Sequence, residues 1–121
     1  MKLLLAFLLT ITMMGAYQSK ADDAPVTLTI SPPQQYFPGT VMYHMRVAQH
    51  RDNFWTCFGW TNTTTGAFRK SCQQVNGIYG PRYFQHEYKW LEPGEYVGFV
   101  HVFRTPNYLA GIETQQFIIL P

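Results

Sequence analysis

The chain carries little charge and almost no excess of either sign. Charged residues make up 13% of its 121 positions, and the formal net charge is +2. Lys2 and Lys20 belong to the N-terminal segment; without them the nine basic residues become seven, equal to the seven acidic ones. Because nucleic acid is bound by a clustered basic surface, this composition argues against a nucleic-acid partner.

Long hydrophobic runs are also missing. The apolar run 3–14 is shorter than the roughly 20 residues needed to span the hydrocarbon of a membrane. The small residues Ser19 and Ala21 follow it, in the pattern that a signal peptidase recognises. We therefore predict a signal peptide at residues 1–21 and a mature domain at residues 22–121, secreted or periplasmic, without a membrane span.

Cysteine is scarce, since the chain has only Cys57 and Cys72. The extended segments 54–61 and 67–74 flank a turn, and a hairpin with Thr64 and Thr65 at its tip places the two Cys directly opposite each other. Exported domains commonly contain disulfides, so we predict a Cys57–Cys72 disulfide. Two free thiols, or a metal held by both Cys, are the alternatives.

The sequence after the N-terminal run shows no helical periodicity and no internal repeat. Its apolar residues alternate within short segments that are separated by Gly, Pro, Asn and Ser, which is typical of β-strands. Seven such segments are predicted: 26–31, 40–49, 54–61, 67–74, 82–90, 95–105 and 111–120. This pattern predicts an all-β fold, an antiparallel two-sheet sandwich of about seven strands.

A turn motif joins the fifth and sixth of these segments, with Leu91, Pro93, Gly94 and Tyr96 in the order Leu-x-Pro-Gly-x-Tyr. Pro fixes one backbone angle and Gly accepts positive φ, so the chain bends sharply. Tyr96 then buries its ring and donates to a backbone carbonyl a few residues upstream, the arrangement called a tyrosine corner.

With this corner and seven strands, the chain resembles an immunoglobulin-like or fibronectin type III-like sandwich over residues 25–121. The resemblance implies two packed antiparallel sheets and no cofactor. The same fold serves adhesion, carbohydrate binding, chaperoning and spacing, so it does not by itself identify a function.

Catalytic motifs are absent from the sequence. There is no Gly-x-Ser-x-Gly nucleophile motif, and the predicted disulfide removes both thiolates. We predict no catalytic site and no enzyme activity. Met42 and His44 share one face of a strand, as ligands of copper do, but no His-x-His or similar cluster reinforces them. We therefore predict no metal site, and a metal-binding periplasmic protein is the weakest alternative.

Aromatic residues are abundant, at 17% of the chain. If Tyr96 points inward, then the alternation of a strand places Phe99, His101 and Phe103 together on the opposite face. The neighbouring strand adds Trp60 on one parity or Trp55 on the other. We predict a binding surface formed by four side chains: Phe99, His101, Phe103 and Trp60.

Such an apolar outward surface is typical of a contact site. We predict a non-catalytic binding or structural module that contacts a protein partner or a second copy of itself. Carbohydrate binding is the alternative, since exposed rings also bind sugars. In the other interpretation a loop, or the segment 32–38 with Tyr36 and Phe37, folds over the rings, which would leave only a scaffold.

Overall fold

The computed structural model describes residues 24–75, 82–105 and 107–121, which form eight β-strands. The strands are β1 (Val26–Ser31), β2 (Gln34–Tyr36), β3 (Gly39–Val47), β4 (Asn53–Asn62), β5 (Phe68–Gln74), β6 (Arg82–Leu91), β7 (Gly94–Arg104) and β8 (Tyr108–Leu120). The predicted signal peptide, residues 1–21, lies outside the described residues. Within the described ranges, no helix has the length and hydropathy required to cross a membrane.

The strands form two sheets, one of three strands in the order β1-β3-β6 and one of five in the order β2-β8-β7-β4-β5. All neighbouring strands are antiparallel except β2 and β8, which are parallel. The predicted antiparallel sandwich is therefore confirmed. The seven predicted strands are present with small shifts at their ends, and β2 is an eighth that the sequence did not predict.

The β4–β5 hairpin has the predicted register. Cys57 is opposite Cys72, Phe58 is opposite Ser71, and Trp60 is opposite Arg69. The two Cys form the predicted disulfide, with 4.0 Å between their Cα atoms.

The predicted corner connects β6 to β7. Gly94 has a φ of 152°, and a Cβ atom at this position would lie 2.6 Å from the Asn62 side chain, so the site excludes other residues. Leu91 and Tyr96 are buried, and the Tyr96 hydroxyl donates to the carbonyl of Glu92 at 2.6 Å. This is the tyrosine corner that the motif predicted.

Large rings fill the space between the sheets. Tyr96 stacks on Phe117 with 4.8 Å between ring centroids, and Tyr43 meets Phe117 edge to face. The Tyr43 hydroxyl crosses to the other sheet and donates to the carbonyl of Gly59 at 2.7 Å. Because Tyr43 and Gly59 belong to different sheets, this bond ties the two layers together.

The two long sides of the sandwich differ. On the side of β1 and β8, here the closed flank, β1 packs against β7 and β8. Gln115 accepts a hydrogen bond from the Ile30 N–H at 2.9 Å and donates one to the Ile30 carbonyl at 2.6 Å. On the side of β5 and β6, here the open flank, a groove of about 810 Å³ separates the sheets.

Candidate functional site

Three rings lie side by side on the outer surface of the five-stranded sheet. Tyr96 and Val100 of β7 are buried in the core, so Phe99, His101 and Phe103 point outward, as the sequence predicted. The ring of His101 lies 5.0 Å from that of Phe99 and 6.1 Å from that of Phe103.

Neighbouring strands extend this cluster. Trp55 of β4 is opposite Phe103 on one side, and Leu109 of β8 is opposite it on the other. Ile112 is opposite His101. Trp55 is 39% exposed and Ile112 is 53% exposed, so the group is accessible to a partner. We call the surface formed by these six residues (Trp55, Phe99, His101, Phe103, Leu109 and Ile112) the aromatic face.

The fourth predicted binding residue, Trp60, does not lie on the aromatic face, and the expectation that it would is wrong. Trp60 is opposite Gly98, an inward position of β7, and its ring meets Tyr96 edge to face at 5.2 Å. Trp55 has the parity that places a ring beside Phe103. The choice between the two tryptophans depends on the register of β4 against β7, and the local hairpin pattern contains no information about that register.

The segment that the sequence offered as a cover does not lie over the aromatic face. Its residues Gln34–Tyr36 form β2, which continues the sheet beside β8. Tyr36 and Phe37 are themselves exposed. Among the described residues, no strand crosses the aromatic face, since the three-stranded sheet packs on the opposite side.

The imidazole of His101 is adapted to these apolar surroundings. Partial burial lowers the pKa of His101 below its ordinary value, and the nearby charge of Lys70 lowers it further. At neutral pH the ring is therefore uncharged, and it adds to the apolar character of the aromatic face.

The disulfide lies beside Trp55 and Phe103. Together with Phe54, these groups line a shallow apolar depression of about 360 Å³. Sequence analysis missed this contribution of Trp55, although Trp55 shares its strand parity with Cys57.

The two cysteines are not available as nucleophiles. Both Cys are in the disulfide, so neither supplies a thiolate. Across residues 24–75, 82–105 and 107–121, no three His, Cys, Asp or Glu side chains come together as a metal site. Met42 and His44 lie on the outer side of β3, away from the core.

Comparisons with known proteins give the fold and no family. No protein-family model matches the chain, and no curated protein matches it. The PKD domain of an M14-like peptidase from a Thermoplasmatales archaeon is 14% identical, with a TM-score of 0.56 over 79% of this chain and 93% of that one.

Two further solved structures are similar. The CARDB domain of a Pyrococcus furiosus protein is 12% identical, with a TM-score of 0.51 over 78% of this chain and 92% of that one. A superoxide reductase (neelaredoxin) from Ignicoccus hospitalis is 10% identical, with a TM-score of 0.59 over 78% of this chain and 79% of that one. At such low identities the likeness shows the fold alone, which is an immunoglobulin-like β-sandwich.

Proposed function

We propose that this chain is an exported, non-catalytic binding module that contacts a protein partner through the aromatic face. The observation that carries the proposal is the outward cluster of Phe99, His101 and Phe103 beside Trp55. Apolar side chains that share one exposed surface lose water on contact with a partner, and this is the main source of binding energy at interfaces.

The outer surface of the other sheet provides an internal comparison. There the outward positions of β1, β3 and β6 are mostly polar and include Thr29, His44 and Gln85. The apolar character of the aromatic face is therefore not a general property of this chain. Interface centres are enriched in aromatic residues, and Trp and Tyr dominate their energetics, so Trp55 is the expected anchor.

The charge beside the aromatic face indicates the chemistry of the partner. Lys70 of β5 lies close enough to His101 to lower the pKa of that imidazole. We expect the partner to offer apolar side chains to the rings and a carboxylate to Lys70, because unlike charges at the rim of an interface favour association.

The disulfide between Cys57 and Cys72 supports both the proposed export and the proposed lack of catalysis. A disulfide persists in oxidising compartments, and the Cys57–Cys72 disulfide therefore supports a secreted or periplasmic location, as does the predicted signal peptide at residues 1–21. With both thiols bonded, neither is a nucleophile. We propose that the module acts by contact alone, without a cofactor. Carbohydrate binding, the alternative from the sequence, finds its support in the groove of the open flank.

Site-specific crosslinking tests the proposal. Photoreactive p-benzoylphenylalanine replaces Phe103 in one variant and Tyr83 in a matched control, in cells that export the protein. Tyr83 is an exposed aromatic residue on the outer side of the three-stranded sheet. We expect a discrete protein adduct from position 103 alone, and its loss when Trp55→Glu is added.

An adduct of twice the chain's mass also supports the proposal and identifies the partner as a second copy. Equal adducts from both positions, an adduct that survives Trp55→Glu, or no adduct from position 103 would each overturn it.

A further inference from the structure

The groove of the open flank has the size and position of a ligand site. Its volume of about 810 Å³ falls within the roughly 300–1,000 Å³ of small-molecule sites. One wall is formed by β4 and β5 and the other by β6. Trp60 and Arg69 point inward from the first wall, and His86 and Tyr88 from the second.

Two hydrogen-bonding groups buried at this groove lack a well-formed hydrogen bond within the described part of the chain. The indole Nε1 of Trp60 and the hydroxyl of Tyr88 make no hydrogen bond of ordinary geometry. Tyr88 is only 4% exposed. Burial raises the pKa of Tyr88, while a weak side-chain hydrogen bond with Ser71 and the charge of Arg69 act in the opposite direction. Buried polar groups are almost always hydrogen-bonded, so two poorly bonded ones at one groove are a feature that a ligand would account for.

Trp90 is held at the rim of the same groove by an unusual backbone. Gly39 is opposite Leu91 and Val41 is opposite Tyr88, so β6 has an extra residue here. This β-bulge gives Trp90 a φ of 59° and leaves it 75% exposed. A bulge commonly re-aims a side chain beside a functional site, and positive φ is costly for a bulky residue. The indole of Trp90 is therefore exposed at the rim of the groove.

Arg69 is the charged residue of the groove that can receive an anionic group. Arg69 is close enough to lower the pKa of His86, which burial already lowers, so the imidazole is neutral at neutral pH. Glu87 at the rim is paired with Lys89 at 3.2 Å. Arg69 has no carboxylate within ion-pair distance among the described residues, and Glu92 lies at the corner, on the groove's edge.

We propose that this groove binds a saccharide that carries a carboxylate. Trp90 packs against the C–H face of a sugar ring, and Arg69 pairs with the carboxylate in the two-point geometry that guanidinium favours. Both polar atoms are closed off from solvent, so sugar hydroxyls reach Trp60 Nε1 and Tyr88 Oη once the rings at the groove move aside. A peptide would pair with the free edges of β5 and β6 and would leave these inward-pointing donors unused.

Calorimetric titration of the protein, recovered from an oxidising host compartment, tests this site. The probes are tetragalacturonic acid, the neutral galactose tetramer and triglutamate. We expect saturable binding of the first alone. Arg69→Gln and Trp90→Ala should each weaken binding by about tenfold or more, which is the typical effect of losing a charged hydrogen bond or an anchoring ring.

The chain offers a matched control for each variant. Lys70→Gln changes the next residue of β5, which points to the other side of the sheet, and Tyr83→Ala removes an exposed ring of β6 outside the groove. Both controls should bind tetragalacturonic acid as the parent does. Thermal unfolding verifies that each variant is folded; Arg69 is exposed, so its variant remains informative if Trp90→Ala unfolds.

Equal binding of the neutral tetramer, comparable binding of triglutamate, or no heat with any probe would overturn the proposal. The same holds if the controls weaken binding as much as the groove variants do. Phe103→Ala should leave the titration unchanged, since Phe103 lies on the aromatic face and not in the groove.

Discussion

The closed and open flanks of this sandwich differ in how completely their polar groups are hydrogen-bonded. At the closed flank, the amide of Gln115 satisfies both backbone groups of Ile30. At the open flank, the indole N–H of Trp60 and the hydroxyl of Tyr88 make no well-formed hydrogen bond with the described residues. The saccharide proposed for the groove would account for this contrast, since buried polar groups are almost always hydrogen-bonded.

The two flanks also differ in how closely their backbones approach. At the closed flank a Cβ atom on Gly98 would lie 2.2 Å from Ile30, so glycine is needed there for the sheets to meet. At the open flank Trp60 and Tyr88 line the groove between the sheets. A glycine allows close approach on one side of the fold, and aromatic side chains line the groove on the other.

The largest effect is expected at the open flank, from loss of the disulfide. Cys57→Ser with Cys72→Ser frees β5, the edge strand of the five-stranded sheet. Opening a loop of 15 residues should lower the free energy of unfolding by about 3 kcal/mol. Urea denaturation followed by tryptophan fluorescence measures the change. A loss below 1 kcal/mol would mean that strand pairing alone holds β5.

The closed flank should respond to Gln115→Leu. This change leaves the N–H and carbonyl of Ile30 without their partners at the edge of β1, and we expect a loss of about 1–3 kcal/mol. Gln116→Leu is the matched control, since Gln116 is exposed and points to the other side of β8; it should change stability by less than about 0.5 kcal/mol. Equal effects would show that the Gln115 bonds do not close this flank.

The sequence contains enough local information for the corner and for the β4–β5 hairpin. In both, the interacting residues are close in the chain, so turn chemistry and counting predict the contact between Cys57 and Cys72. Strand β2 was missed because its partner, β8, is more than 80 residues away and the flanking Pro32 and Pro33 read as a loop.

The candidate sites were predicted only in part, for the same physical reason. The alternation of β7 predicts that Phe99 and Phe103 share a face. Whether Trp55 or Trp60 joins them depends on the register of two strands that are far apart in sequence. The groove depends on the separation of the two sheets at the open flank. Local patterns do not encode such distances.

The open flank should also make stability depend on pH, through His86. Burial lowers the pKa of His86 at the open flank, where Arg69 adds to the effect and the rings of Phe58 and Tyr88 contact it. Below the ordinary value of 6.5 the unfolded chain therefore binds more protons than the folded one. The contribution of the neutral His86 to stability should be complete above pH 6.5, and it should be lost as the pH falls through the lowered pKa.

Denaturation between about pH 5 and 7.5, where histidine titrates, measures this dependence. His86→Gln should flatten the profile. The pKa of His101 on the aromatic face is lowered by burial and by Lys70, so His101 should contribute a second part of the pH dependence. The pH profile of the double variant, His86→Gln with His101→Gln, should therefore be flatter than that of either single variant. An unchanged slope in His86→Gln would show that the groove does not disfavour the charged imidazole.

The smallest effect on stability is expected from Tyr88→Phe, and it tests directly whether the Tyr88 hydroxyl lacks a hydrogen-bond partner. Tyr43 and Tyr88 are neighbours whose rings lie 5.0 Å apart in the core, but only the Tyr43 hydroxyl has a strong partner, the carbonyl of Gly59. Tyr43→Phe removes that bond and should cost about 1–3 kcal/mol. Tyr88→Phe removes a buried hydroxyl without a partner, and it should leave stability unchanged or raise it by up to about 1 kcal/mol. A loss in Tyr88→Phe that matches Tyr43→Phe would mean that Ser71 already satisfies the hydroxyl. The two flanks would then be equally well bonded, and the groove would lose one of the two donors that argue for a ligand.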